Sequence, residues 1–505
     1  MVDRVIVRRG TFLDSVALML VSRDASELEG VEQAQVVNAT PLNVDLLERQ
    51  AFSLPGGDEE PGPNDLLIAI RADGDEPLAA ALALVEERLR RRPVSERAGA
   101  AGAAARSVTS AARRREELSL ALVTVPGRHA AYECARALDA GLDVLCFSSG
   151  PSLDVEAALK ARANALGLLM MGPDCGTAIL GGAVLGFGNA VRPGPVGIVG
   201  ASGTGIQAVA CRLDAAGVGI SHAIGTGGRD LSARVGGATT LCSLELLAGD
   251  AETEAIVVVA KSPDGAVAKR VAETGARIGK HVVLAFPGFA AAGGGLEQAG
   301  SPGQAGSVEH AGSLEQAAAL GAAAVGARLP APARLGAARE TPGAIRGLFS
   351  GGTLRDEALA IIGAAASAGT RLERAEAGGH VLLDLGDERF TEGRPHPMID
   401  LSLRISVLEQ QALDPSVGVL LLDVVLGYGA HPDPAAELAP ALARAREARR
   451  GDLTVVVSLC GTGGDPQGVD SQAERLHAAG AVVTRSNADA AELALAAAGL
   501  GSAVS

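Results

Sequence analysis

Apolar runs of strand length alternate with amphipathic stretches along most of the chain. The segments 118–125 (LSLALVTV) and 417–425 (VGVLLLDVV) are apolar on both faces, and helical spacing of apolar residues follows each of them. Strands of this kind are typical of parallel sheets that are covered by helices on both sides. The pattern predicts an α/β protein with several doubly wound parallel-sheet domains and a small amino-terminal α/β domain.

The second half of the chain repeats one plan twice. Each copy begins with an apolar strand, a Gly-rich loop and a helix, and each ends with a short strand and an Ala-rich helix. Two stretches that are poor in large apolar residues are predicted to be linkers. The predicted organisation is an amino-terminal domain (1–95), a linker (96–117), a Rossmann-like domain (118–193), a first repeat (194–328), a second linker (329–344) and a second repeat (345–503).

Charge and cysteine content narrow the function classes. With 44 basic and 59 acidic residues the formal net charge is -15, so no global positive field attracts nucleic acid or a membrane, and a small anionic substrate needs a local site. The six cysteines include no CxxC pair, which argues against a metal site and favours a cytoplasmic setting. Cys175 has no nearby base in the sequence and is expected to be a buried thiol. We expect neither a signal peptide nor a membrane span.

Both repeats place a Gly-rich loop between the first strand and the first helix. Backbone N–H groups at a helix start carry partial positive charge, and small residues let a phosphate group approach them. Neither loop has a Walker A or GxGxxG spacing, so a tight turn without a ligand is the alternative. The duplication predicts two helix starts that face one dianion. The candidate phosphate-binding residues are Ser202, Gly203 and Thr204 in the first loop and Gly351, Gly352 and Thr353 in the second.

A third candidate loop follows the apolar segment 417–425. Gly427, Gly429 and Ala430 precede a helix that is predicted to begin near residues 432–434. Open α/β sheets bind ligands at the carboxyl ends of their strands. These residues are therefore predicted to contribute to phosphate or substrate binding, with an ordinary strand–helix connection as the alternative.

The segment 393–400, GRPHPMID, holds three functional groups within a few residues. Arg394 can bind a carboxylate through its guanidinium fork, His396 can act as a general acid or base, and Asp400 can orient either one or cap a helix. Arg229 follows a glycine turn in the first repeat and is a second candidate for a carboxylate. Rigid surface turns and surface ion pairs are the alternatives for these four candidate catalytic residues.

The motifs, taken in order, resemble the succinyl-CoA synthetase superfamily. Residues 125–207 are similar to its α subunit, and residues 382–503 resemble the ligase domain of its β subunit. The FdrA family shows the same fused layout and shares RRGTFLDSVALML, GPDCGT, GASGTGIQ, GGRDLS, GRPHPMID and LLDVVLGYGA. The resemblance implies a CoA-binding Rossmann-like domain and two flavodoxin-like CoA-ligase domains.

The resemblance to the FdrA family also implies a function. The chain would be the large component of an oxamate carbamoyltransferase in ureide (allantoin) breakdown, where phosphate and oxalurate give carbamoyl phosphate and oxamate. Arg229 and Arg394 would bind the substrate carboxylate, and His396 would handle the proton on the leaving nitrogen. Partner subunits and an oligomer are implied, with phosphate or carbamoyl phosphate as substrate and no cofactor.

Two other functions stay open. An acyl-CoA synthetase component would bind CoA and carry a phosphohistidine, and a scaffold subunit would have lost its chemistry. His310 is followed by Ala-Gly, as in the phosphohistidine loop of the synthetases, but Glu309 replaces the preceding Gly and a predicted terminal strand–helix follows directly. We expect a chance match at His310. An ATP-grasp module of roughly 200 residues is also missing, so ATP-driven CoA ligation by this chain alone is not expected.

Overall fold

The computed structural model describes the chain except residues 12, 14, 56–59, 63, 91–104, 290–305, 366–378, 392–393, 451 and 501–505. The chain divides into two compact units. The first unit contains residues 1–104 and 386–400, and the second contains residues 105–385 and 401–505. The first part of the predicted linker 96–117, and Gly393 of the GRPHPMID motif, lie outside the described residues.

The amino-terminal part of the first unit has the three strand–helix pairs that the sequence predicts. Its elements are β1 (Val2–Arg8), α1 (Ser15–Ser26), β2 (Val31–Asn38), α2 (Pro41–Arg49), β3 (Leu66–Ala72) and α3 (Asp75–Arg90). Thr40 caps α2 by accepting a hydrogen bond from Asn43 N, and Pro41 suits the first helical position. Strand β3 lies between β1 and β2 and pairs antiparallel with both.

The second unit begins with a three-stranded parallel sheet and a hairpin. The elements are α4 (Val108–Arg114), β4 (Leu120–Val123), α5 (Gly127–Asp139), β5 (Asp143–Cys146), α6 (Leu153–Leu166), β6 (Met170–Met171), β7 (Thr177–Leu180) and β8 (Ala183–Gly186). The sequence analysis did not predict the β7–β8 hairpin. Its two-residue turn is Gly181-Gly182, and both glycines have positive φ, which is the conformation that such a turn requires.

The two predicted repeats follow. The first consists of β9 (Pro193–Gly200), α7 (Gly203–Ala215), β10 (Ile220–Gly225), α8 (Ala238–Gly249), β11 (Ala255–Val259), α9 (Gly265–Arg277), β12 (His281–Ala285), β13 (Val308–Ala311) and α10 (Leu314–Ala324). The second consists of β14 (Arg334–Leu335), β15 (Ala344–Phe349), α11 (Gly352–Ala365), β16 (Val381–Asp384), α12 (Glu388–Thr391), α13 (Ser402–Ala412), β17 (Val417–Val425), α14 (Pro434–Ala448), β18 (Thr454–Cys460), α15 (Val469–Ala478), β19 (Val482–Thr484) and α16 (Asn487–Ala497). Of these elements, α12 belongs to the first unit.

Strand order confirms the repetition. The parallel strands run β10-β9-β11-β12-β13 in the first repeat and β16-β15-β17-β18-β19 in the second. This is the doubly wound order 2-1-3-4-5, in which the first strand lies between the second and the third. All residues of β11, β12 and β17 are buried, as expected for strands covered on both faces. Among the described helices, none is long and apolar enough to cross a bilayer.

The helices of the two repeats pack against each other and enclose a carboxyl group. Helices α7 and α10 of the first repeat contact α11 and α16 of the second. Glu357 of α11 is buried there, and its carboxylate accepts hydrogen bonds from Leu314 N at 2.5 Å and from Asn487 Nδ2 at 2.7 Å. Burial raises the pKa of Glu357 to about 7, against the two hydrogen bonds, which lower it.

We expect the Glu357 carboxyl group to make the stability of the chain depend on pH. The folded state keeps a proton that the unfolded state releases, so this contribution is complete below pH 4.5 and is lost as pH rises through about 7. A Glu357→Gln variant should lack this part of the pH dependence, which is worth about 3 kcal/mol at most at 1.36 kcal/mol per pKa unit. The urea midpoint for the unfolding of α11, followed by pulsed hydrogen–deuterium exchange at pH 5 and pH 8, measures it, because the domains of the chain need not unfold together. The exposed Glu273→Gln is the control, and equal pH slopes in the two variants would contradict the expectation.

Candidate functional site

The first Gly-rich loop joins β9 to α7 and leaves backbone donors unused. Ser202 is the N-cap residue, and its Oγ accepts a hydrogen bond from Gly205 N at 3.0 Å. The amides of Gly203 and Thr204 lie in the first turn, where no helical carbonyl can accept their hydrogen bonds. A Cβ on Gly203 would lie 2.8 Å from Thr177 Oγ1, so glycine is needed there.

The second Gly-rich loop is held by a buried ion pair. Asp423 on β17 is fully buried and accepts hydrogen bonds from Ser350 N at 2.8 Å and Ser350 Oγ at 2.9 Å. Arg404 of α13 donates to the same carboxylate at 2.7 Å. In the first turn of α11, Thr353 Oγ1 is buried and has no hydrogen-bond partner in the described part of the chain. Asp423 and Arg404 therefore position the start of α11.

The structure brings these two helix starts together. A Cβ on Gly351 would lie 2.7 Å from Thr204 Cβ, so the backbone of one loop touches the first turn of the other helix. Helices α7 and α11 are in contact. The first turns of both helices, which carry the partial positive charge of a helix start, therefore lie next to each other.

A lysine that the sequence analysis missed joins this place. Lys261 follows β11, and a Cβ on Gly352 would lie 2.6 Å from Lys261 Cε. Its Nζ lies 3.8 Å from an oxygen of Asp384, the last residue of β16. The Lys261 side chain is 44% exposed, so it is accessible and can move. Its position after a parallel strand was the available signal, because strands of one sheet end at the same edge.

The anion cradle, defined by Ser202–Thr204, Gly351–Thr353 and Lys261, has the electrostatics of a phosphate site. Two helix starts contribute backbone N–H donors, and Lys261 contributes a full positive charge. Asp384 adds a carboxylate beside the ammonium group, which can hold the lysine in place or accept a proton. The two helix starts and the Lys261 ammonium group lie beside one carboxylate, Asp384, whose charge offsets that of the lysine.

The third predicted loop does not supply donors to this cradle, which is a correction. Gly427 N donates to Gln467 Oε1 at 3.1 Å, Tyr428 N donates to Gly188 O at 2.7 Å, and Ala430 N donates to Gly427 O at 3.4 Å. A Cβ on Gly429 would lie 3.1 Å from Phe187 Cδ1. The loop packs against the segment after β8, and the amides of Gly427 and Ala430 already have acceptors, so we leave Gly427, Gly429 and Ala430 out of the anion cradle.

Arg229 also has a protein partner instead of a free guanidinium fork. Its Nε donates to Glu156 Oε2 at 3.0 Å, and its Nη2 donates to Pro151 O at 2.7 Å. Glu156 is buried and also accepts from Lys160 Nζ at 2.9 Å, and Lys160 donates to Asp230 Oδ1 at 2.8 Å. We therefore reassign Arg229 from substrate binding to positioning the turn between β10 and α8.

The remaining three candidates lie in the first unit. Arg394 is only 8% exposed, and burial lowers its pKa while the charge of Asp400 opposes the shift. His396 Nδ1 accepts a hydrogen bond from Met398 N at 3.2 Å, which leaves the ring proton on Nε2. Burial lowers the pKa of His396 to about 4, so the imidazole is neutral near pH 7. This form suits a hydrogen-bond donor better than a cationic acid.

Two residues that the sequence analysis set aside are placed as expected. Cys175 is buried, and burial raises its pKa to about 12, so it is a thiol and not a nucleophile. His310 lies within β13, which pairs with β12 at Leu284. His310 is therefore part of the sheet, whereas the phosphohistidine of the synthetases belongs to a loop.

Three family models match the chain. A model described as AllF, heavy metal-associated domain, matches residues 1–106. A CoA binding domain model matches residues 191–288, from β9 to beyond β12, and a CoA-ligase model matches residues 348–497. The CoA-ligase match includes α11 and the second Gly-rich loop from Phe349 onward.

Relatives of the whole chain and of one part are known. The uncharacterized protein YahF of Escherichia coli K12 is 36% identical over 518 residues, which cover 97% of this chain and 98% of YahF. Subunit alpha 2 of the ADP-forming succinate–CoA ligase of Archaeoglobus fulgidus is 33% identical over 150 residues, which cover 29% of this chain and 51% of that subunit. This chain thus spans about half the length of that subunit.

Solved structures resemble the chain at lower identity. The crystal structure of PH0766 from Pyrococcus horikoshii is 18% identical, with a TM-score of 0.32, and the match covers 76% of this chain and 84% of that one.

The identity to YahF extends over nearly the full length of both proteins. The chain therefore belongs to the family of Escherichia coli YahF, and it joins an AllF-type amino-terminal domain to CoA-binding and CoA-ligase domains of the succinyl-CoA synthetase type.

Proposed function

We propose that this chain is an FdrA-type enzyme component that holds phosphate during carbamoyl transfer between a ureide and phosphate. The observation that carries the proposal is the contact of two helix starts at Gly351 and Thr204, with Lys261 beside Gly352. The resemblance of GASGTGIQ, GRPHPMID and the other motifs to the FdrA family supports the choice of reaction. Two helix starts and one ammonium group suit a tetrahedral dianion.

The proposed reaction balances without a cofactor. An oxygen of hydrogen phosphate attacks the carbamoyl carbon of oxalurate, and the bond from that carbon to the inner nitrogen breaks. The proton lost by the phosphate goes to the leaving nitrogen, so the products are carbamoyl phosphate and oxamate. In this proposal the anion cradle orients the nucleophile, and Asp384, whose carboxylate lies 3.8 Å from Lys261 Nζ, relays the proton.

The roles of Arg394, His396 and Asp400 in this reaction stay predictions. Arg394 retains the chemistry that binds a carboxylate, because its guanidinium has no protein carboxylate as partner within the described residues. Burial lowers the pKa of His396 to about 4, so its imidazole is neutral near pH 7 and can donate a hydrogen bond from Nε2.

Turnover tests the proposal directly. The full chain, together with the proteins that co-purify with it, is incubated with carbamoyl phosphate and oxamate, and we expect oxalurate and phosphate in equal amounts. The Lys261→Met variant should lose this turnover by about tenfold to hundredfold, the value of a hydrogen bond to a charged group. Absence of oxalurate with every copurifying protein present would sink the proposal.

An acyl-CoA synthetase component is the second candidate, because the CoA binding and CoA-ligase models match this chain. The amides of Gly203 and Thr204 could bind a phosphate group of CoA as well as free phosphate. This candidate predicts binding of CoA and a histidine labelled by radioactive ATP in the assembled complex. Lack of both would exclude it.

The curated succinate–CoA ligase relatives are named as subunits, so we also propose partner subunits for this chain.

A further inference from the structure

The amino-terminal domain lacks the donors of a heavy-metal site. Its family model is described as heavy metal-associated, and heavy metal ions prefer thiolate and imidazole ligands. Residues 1–106 contain neither a cysteine nor a histidine. Within the described residues no group of three or more His, Cys, Asp or Glu side chains is arranged to hold a metal ion. The residues present do not fit the metal that the model implies.

A distant segment of the chain supplies other functional groups to the same unit. Residues 386–400 belong to the compact unit that contains the amino-terminal domain. Arg394 N donates to Thr391 O at 3.1 Å, and Asp400 N donates to His396 O at 3.1 Å, so local bonds shape the segment. The unit thereby gains an imidazole, which residues 1–106 do not provide, and the buried guanidinium of Arg394.

Arg394 is buried, and its guanidinium forms no ion pair with a described residue, because Asp400 acts on it only from beyond ion-pair distance. More than nine-tenths of the residue is buried, and its Nη1 is enclosed without a hydrogen-bond acceptor. No carboxylate among the described residues lies within ion-pair distance of the guanidinium. An arginine keeps its charge at any ordinary pH, and a buried unpaired charge is strongly unfavourable. Arginines that only support a fold have acceptors, as Arg404 does with Asp423 and Leu348 O.

We propose that the first unit binds a small organic carboxylate through Arg394, in place of a metal. A carboxylate matches the planar fork of a guanidinium with two parallel hydrogen bonds, whereas a compact ammonium group such as Lys261 binds an anion as a point charge. The neutral imidazole of His396, two residues away, can add a hydrogen bond. The inference rests on the proposed function, in which Arg394 binds the substrate carboxylate, but a binding measurement tests it separately from turnover.

Calorimetric titration of the full chain with oxamate tests the site. Oxamide, in which an amide replaces the carboxylate, is the matched ligand control, and inorganic phosphate is the second control at equal ionic strength. The variants are Arg394→Met and, as a control in the same unit, Arg389→Met, whose side chain is 65% exposed. A Lys261→Met background separates this site from the anion cradle.

We expect oxamate to bind the wild type and the Arg389→Met and Lys261→Met variants, and oxamide not to bind. Arg394→Met should weaken oxamate binding at least 30-fold, while its melting temperature without ligand stays equal to that of the wild type or rises, because an unpaired buried charge is removed. A large loss of melting temperature in Arg394→Met, with oxamate binding kept in whatever folds, would show a structural arginine and overturn the proposal. Equal binding of phosphate at Arg394 would overturn the carboxylate assignment.

Discussion

Replacing Gly352 by alanine is expected to weaken phosphate binding by about tenfold to hundredfold, the range for losing one hydrogen bond to a charged group. The new methyl group would lie 2.6 Å from Lys261 Cε and would also contact Lys261 Nζ and Oδ2 of the buried Asp384, so both side chains must move. Since the Lys261 side chain is 44% exposed, it can swing into solvent at small cost. The variant should therefore keep its fold and lose the ammonium group from the anion cradle.

The chain offers a matched control for this variant. Gly265 is the first residue of α9, as Gly352 is of α11, but a Cβ on Gly265 meets nothing within 4 Å. Calorimetric titration with inorganic phosphate should show unchanged affinity in Gly265→Ala. Because Gly352→Ala acts through Lys261, the double variant with Lys261→Met should bind phosphate no more weakly than Lys261→Met alone. Additive losses, or full affinity in Gly352→Ala, would contradict the assigned role of Lys261.

Removal of the Lys160 charge is expected to cause the largest loss of stability, about 3–5 kcal/mol, as for breaking a buried ion pair. The Lys160 ammonium group donates to Glu156 Oε1 at 2.9 Å, Asp230 Oδ1 at 2.8 Å and Thr226 O at 2.8 Å, and no part of its side chain is exposed. In Lys160→Met two carboxylates are left near each other without the cation between them. These contacts link α6 to the turn after β10, so that link should loosen.

Hydrogen–deuterium exchange locates this loss, because a chain with several domains does not unfold in one step. Exchange should accelerate in α6 and α8, since Asp230 also accepts from Thr239 N and Thr240 N at the start of α8. Lys269→Met is the control, because this exposed lysine pairs with Glu273 at 4.0 Å and is expected to contribute under about 1 kcal/mol. Adding Glu156→Gln to Lys160→Met should restore part of the protection. Unchanged exchange in α6 would refute the argument.

The helix starts of the candidate site could be predicted from the sequence because their signals are local. Ser202 followed by small residues after an apolar strand specifies a capped helix, and the structure has that cap. Because the order of strands and helices repeats, the loop that contains Gly351 was expected to occupy the same position in the second repeat as the first Gly-rich loop does in the first. Lys261 carried only a weak signal, its position after a parallel strand, and a lysine at such a position is ordinarily a solvated residue.

The roles of the other candidates depended on contacts between distant segments. Nothing in the sequence near Arg229 indicates a partner for its guanidinium, so we predicted that it binds a ligand. In the structure it donates to Glu156, which lies 73 residues away in the chain. The amides after Leu426 look like donors for a ligand, but Gly427 N donates to Gln467 and Tyr428 N donates to Gly188. Neither pairing has a periodicity or a short motif from which it could be inferred.

We could infer the α/β class, the duplication of the doubly wound unit and the two Gly-rich helix starts from the sequence alone. Buried side chains recur with the period of the helix or strand that carries them, and turn residues act over a few positions. Both signals can therefore be recognised in short stretches of sequence. Other features became known only from the tertiary structure. Lys261 lies beside Gly352, Arg229 is paired with Glu156, and residues 386–400 belong to the unit of the amino-terminal domain. The physical reason is that a donor or a charge binds whichever acceptor the fold brings within about 3 Å, and sequence separation does not limit that choice.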